Sequence, residues 1–159
     1  MILYHGSNVE VKNPKIIKSK RLLDFGTGFY LTSDYEQARK WAVRTTVRRE
    51  EGVPTISVFN MKECEIKKFE TFIFDSANKE WLRYIALNRT DKLARDSYDL
   101  VIGPVANDQA IRTVNYYFKG YFNEDIAIQL LLPQNLKDQY AFKTEKALSA
   151  LEFSEVKFI

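Results

Sequence analysis

The apolar residues of this chain fall in short runs, and helix-start signals stand between them without regular alternation. Short strands are expected at 1–4, 28–32, 55–59, 63–69, 98–102, 139–143 and 153–158. Helices are expected between them. Ser33 with Glu36 three residues later fits a capping box, Asp75-Ser76 precedes a helix over 77–88, and Asn107-Asp108, Asn123 and Thr144 open three more. Residues 126–132 fit a strand as well as a helix, because a short apolar run carries no decisive period. Strict strand–helix alternation would predict a parallel sheet. Its absence predicts an α+β fold in which strands from distant parts of the chain pair.

The 159 residues suit one domain spanning 1–159. With 45 % hydrophobic residues, among them 11 Phe, 9 Tyr and 2 Trp, the chain can build a core without disulfides or metals. Trp41 and Trp81 are expected in that core. A single cysteine, Cys64, excludes an internal disulfide and fits a reducing compartment. With one His and one Cys, no Cys/His zinc site can form; a carboxylate-only magnesium site stays open, and no metal-ligating residue is expected. No run reaches the roughly 20 apolar residues that span a bilayer. The four apolar residues before His5 lack a basic leader, so a cytoplasmic protein without a membrane partner is expected. The net charge of +3 is too mild to indicate nucleic-acid binding. Arg44, Arg48, Arg49 and the Lys-rich residues 10–20 read first as solvated surface.

Two glycine-bearing segments carry the chemistry. His5 ends an apolar run and precedes Gly6 and Ser7. A glycine there admits close backbone approach, and Ser7 adds a hydroxyl. A lone histidine near a terminus is more usually a structural or simply exposed residue. Gly26-Thr27-Gly28-Phe29-Tyr30-Leu31-Thr32 runs from a glycine turn into a strand. It lacks the Gly-Lys-Ser/Thr ending of a phosphate loop. It is not a dinucleotide fingerprint either, since its two glycines precede a strand.

Together these segments resemble a known pattern. Tyr4-His5-Gly6-Ser7, then Phe25-Gly26-Thr27-Gly28-Phe29-Tyr30-Leu31, then Gln37-Ala38 and Trp41-Ala42, resemble the ADP-ribosyltransferase superfamily. The likeness is to its His-Tyr-Glu branch, typified by poly(ADP-ribose) polymerases and diphtheria toxin. It is greatest to small bacterial members, some encoded as toxins beside an antitoxin. The likeness to these runs on through Gly103-Pro104-Val105-Ala106-Asn107-Asp108 and Gln139-Tyr140-Ala141-Phe142. The resemblance implies a split β-sandwich with peripheral helices and NAD⁺ as substrate.

It also implies roles. His5 would bond the adenosine ribose, the Gly6 backbone would hold the nicotinamide carboxamide, and Ser7 would assist. Tyr30 beside Gly28 would stack on the cationic nicotinamide ring. Arg21, with Lys20, would meet the pyrophosphate, and Asn107 would face the pocket; a solvated turn and a plain helix cap are their other readings. The third motif position, Glu in the branch, is Gln139 here. Glutamine can bond a ribose hydroxyl but is a poor base, which leaves Asp138 and Glu145 as nearby acids. An ordinary strand position is the other reading of Gln139. The expected function is mono-ADP-ribosyl transfer to a macromolecular acceptor, in the setting of a toxin paired with an antitoxin. The alternatives are an NAD⁺- or ADP-ribose-binding module or NAD⁺ glycohydrolase of the same fold, and a nucleic-acid-directed toxin.

Overall fold

Two antiparallel-rich sheets meet face to face, and helices cover both outer faces. The computed structural model describes residues 1–18, 22–91, 93, 94 and 96–159. The first sheet has the order β1-β3-β7, with β1 at Ile2–Ser7, β3 at Thr55–Asn60 and β7 at Glu152–Phe158. The second has the order β2-β6-β5-β4, with β2 at Phe29–Leu31, β6 at Asp138–Phe142, β5 at Leu100–Pro104 and β4 at Thr71–Ile73. Among the described strands only β4 and β5 run parallel. The α+β class expected from the sequence is therefore observed, with strands from distant segments paired.

Alternation sorts the side chains into layers. Leu3 and Phe59 of the first sheet meet Phe29, Leu31, Leu100, Tyr140 and Phe142 of the second in one buried layer. On the outer face of the first sheet, Ile56 and Val58 pack against Ala38 and Ala42 of α1 (Tyr35–Arg49). On the outer face of the second, Val101 and Ala141 meet α2 (Lys79–Thr90), α3 (Asp108–Phe118) and α4 (Glu124–Leu131) through Trp81, Leu82, Ile85, Val114 and Leu131. A last short helix, α5, spans Glu145–Leu148. Among the described residues no helix is long and apolar enough to cross a membrane.

Three expectations are corrected. Ser33 does not cap α1; Asp34 does, accepting from the Gln37 N–H at 2.7 Å. Ser33 is taken by Asp138, which accepts from its N–H at 2.8 Å and from its hydroxyl. Asn78, not Asp75-Ser76, caps α2 by accepting from Trp81 N–H. The segment 63–69 is no strand: Glu63–Lys68 forms a 3-10 helix, and pairing begins at Thr71. The caps at Asn107, Asn123 and Thr144 form as expected, and 126–131 is helical.

Candidate functional site

Strand β2 is where the two glycine-bearing segments meet. β1 and β2 belong to different sheets and touch through one isolated bridge, Tyr4 to Thr32, with two backbone bonds of 2.8 and 3.0 Å. His5 therefore stands where the sheets part. Its ring stacks on Phe29, with centroids 4.3 Å apart. Its Nδ1 lies 2.8 Å from the Tyr30 carbonyl oxygen. A carbonyl can only accept, so Nδ1 carries the proton, and in the neutral ring Nε2 is the acceptor. Burial holds the His5 pKa below its ordinary value; the bond to Tyr30 opposes this, and the Arg49 charge adds to it.

Gly6 lies one residue on and faces the opposite way. A Cβ there would stand 2.0 Å from the Ala38 carbonyl oxygen and 2.9 Å from the Ala42 nitrogen. The close approach that needs a glycine is thus made by α1. Ser7 is buried on the His5 side, 3.5 Å from Asn8 Oδ1. Gly28 lets another backbone come near: a Cβ would meet the Phe142 carbonyl oxygen at 2.8 Å.

Tyr30 projects to the other face of β2. It pairs with Ala141, and Gln139, two residues before Ala141, shares that face. The Tyr30 hydroxyl donates to the Gly26 carbonyl at 2.6 Å and accepts from Phe25 N–H at 3.1 Å, which closes the glycine turn on the ring. Burial pushes its pKa well up, and the Asp24 charge adds to the shift. Gln139 is buried, with Nε2 3.4 Å from both Asp24 Oδ2 and the Pro104 carbonyl. Tyr30 and Gln139 are thus brought to one face, whereas His5 reaches Tyr30 through its backbone and points between the sheets.

Asp24 is the residue that sequence reasoning missed. It is buried, and its Oδ1 accepts from Arg89 Nε at 2.6 Å. Its Oδ2 accepts from Ala106 N–H at 3.2 Å. The available signal was an acid inside the otherwise apolar Leu22–Phe25 run. The two acids nearest Gln139 in sequence are occupied elsewhere. Asp138 holds Thr32 and Ser33 at the entry to α1. Glu145 is exposed and accepts from Ile16 N–H at 3.4 Å.

The remaining candidates are spread out. Asn107 is exposed, and its side chain caps α3 by accepting from Gln109 and Ala110 N–H. Lys20 and Arg21 lie outside the described residues. Trp81 is fully buried and donates to the Pro104 carbonyl, but Trp41 is 41 % exposed, because α1 buries the stripe of Ala38, Ala42 and Thr45. In the basic cluster, Arg44 makes a two-pronged pair with Asp108, and Arg49 donates to Asn8. Two open grooves among the described residues lie elsewhere, one beside Met61 and Leu151, the other beside Pro14 and Leu148.

Comparison with known proteins gives one finding. A family model described as "Protein of unknown function (DUF3990)" matches residues 1–153. No curated protein and no solved structure matches the chain.

Proposed function

The chain belongs to the DUF3990 family, and we propose that it is an NAD⁺-dependent mono-ADP-ribosyltransferase. The observation that carries this reading is the bond from His5 Nδ1–H to the Tyr30 carbonyl, which ties the two motif strands together. It leaves His5 Nε2 as an acceptor for a ribose hydroxyl. A sandwich of two sheets joined at a single bridge and flanked by helices is compatible with the split sandwich of that superfamily.

In this reading the Gly6 backbone and Ser7 hold the nicotinamide carboxamide, and the Tyr30 ring packs on the cationic nicotinamide. Bond breaking leaves neutral nicotinamide and a ribosyl group of oxocarbenium character, so orientation and charge support are what the site must supply. Gln139 bonds a ribose hydroxyl but does not act as a general base. Transfer therefore goes once, to an acceptor that is already a good nucleophile. The acceptor is a cellular macromolecule, and the setting is that of a bacterial cytoplasmic toxin held by an antitoxin. Incubation with labelled NAD⁺ and a bacterial lysate tests the reading. Label on a macromolecule with free nicotinamide is expected; absence of both overturns it.

A second reading, an NAD⁺- or ADP-ribose-binding module, is favoured by one observation: Gln139 is neutral and its amide nitrogen faces the protein interior. Calorimetric binding of NAD⁺ without nicotinamide release over hours would select it.

A further inference from the structure

We infer that Asp24 is the positioning residue for Gln139, fixing its carboxamide so that Oε1 is presented as the acceptor for a ribosyl hydroxyl. The inference rests on the proposed reading of the Tyr30–Gln139 face as part of the NAD⁺ site.

The argument starts from what faces the amide. Asp24 Oδ2 and the Pro104 carbonyl are both acceptors, each 3.4 Å from the nitrogen. The end of the carboxamide turned to them must therefore be the NH₂ group, and its two hydrogens match the two acceptors. The oxygen is left as the group's acceptor. Asp24 cannot turn away from this task. Arg89, in the last turn of α2, grips Oδ1 through Nε and a terminal nitrogen, at 2.6 and 2.5 Å. The loop before α3 donates Ala106 N–H to Oδ2. Three separate segments thus converge on one carboxylate.

Other acids are committed elsewhere. Asp96 holds Tyr84 and Lys143, and Asp99 holds Thr144 and Lys146. Among the described residues, Asp24 is the carboxylate that meets Gln139.

The same geometry accounts for the departure from the glutamate of the resembled branch. A glutamate at 139 would turn a carboxylate oxygen toward Asp24 and the Pro104 carbonyl, with no hydrogen to share and two like charges in contact. Glutamine satisfies both acceptors and keeps an oxygen for the substrate. The negative charge of the site resides on Asp24, balanced by Arg89, and the hydrogen bond to ribose is delegated to Gln139.

The test uses the full chain labelled with ¹⁵N-glutamine. The Gln139 side-chain signal is identified by its loss in Gln139→Glu. In the wild type its amide protons should exchange with water roughly tenfold or more slowly than those of exposed Gln129. In Asp24→Asn they should exchange faster, with a shifted resonance. The same variant should lower kcat for nicotinamide release roughly ten- to a hundredfold, the effect of a charged hydrogen bond, with KM for NAD⁺ changed less than about twofold. Unchanged exchange and shift in Asp24→Asn overturns the inference, whatever the activity. If Asp24→Asn does not fold, the wild-type spectrum decides, and exchange as fast as that of Gln129 overturns it. A wild type that releases no nicotinamide overturns the NAD⁺ reading, while the spectral result still decides whether Asp24 orients Gln139.

Discussion

On one side of β2, His5 stacks on Phe29 and meets a single backbone carbonyl. On the other side, Tyr30 and Gln139 stand around the ion pair of Asp24 and Arg89. The first environment keeps its titratable group neutral by withdrawing water. The second keeps a buried charge because the partly exposed guanidinium of Arg89 is paired with it. The contrast teaches that two residues of one motif, separated by a single strand, can depend on different physics. Truncation should damage the second side most, and proton uptake should register on the first.

The largest effect is expected from Asp24→Ala. It strands Arg89 and removes the acceptor for Ala106 N–H, at a cost of about 3–5 kcal/mol. Urea unfolding measures it, and a loss below about 1 kcal/mol would erase the contrast. Gly6→Ala comes next. Its Cβ would meet helix backbone that cannot rotate aside, so about 1–3 kcal/mol is expected. A neutral result would mean that α1 can lift from the sheet. Tyr30→Phe keeps the ring and removes the two bonds to the glycine turn, at about 1–2 kcal/mol. Nicotinamide release by this variant separates stacking from anchoring: retained kcat credits the ring.

From His5 a slope is expected, not an offset. Burial holds its folded pKa below the ordinary 6.5, so the unfolded chain binds the proton more readily. Stability then rises with pH from the lowered folded value up to about 6.5 and is flat for this group above that. Urea midpoints compared between wild type and His5→Gln should show that segment disappear. A wild-type curve without it would put the imidazole in water. The smallest effect is expected from Arg44→Ala, which breaks an exposed pair with Asp108 at up to about 1 kcal/mol. A larger loss would make that pair a structural tie between α1 and α3.

What could be read from the sequence follows the range of the interactions. The caps at Asn107, Asn123 and Thr144 depend on bonds two or three residues away, and the local pattern contains them. Ser33 has the same local pattern, but Asp138 claims it from far along the chain, so the cap moves to Asp34. In Glu63–Lys68, Cys64 and Ile66 alternate with charged residues as in a strand, but the segment closes into a 3-10 helix. Gly6 was noticed for the right property, but the backbone that approaches it belongs to α1. Asp24 has no local signature, because its partners stand at positions 89, 106 and 139. Trp41 falls at helical spacing with Ala38, Ala42 and Thr45, yet the sheet buries only those three small side chains and leaves the indole at the edge of the stripe.

The pairing of β2 also has a consequence in time. Apart from the bridge at Tyr4, the strand that carries Tyr30 has one ladder partner, β6, which pairs Phe29 with Phe142. A growing chain leaving the ribosome must therefore carry its glycine turn and Tyr30 without that partner until β6 is synthesised. Loop closure of that length is slow. Fragments ending before β6 would hold both N-terminal motifs yet have no ladder to set Tyr30 in place, so the motifs become a site only late in translation.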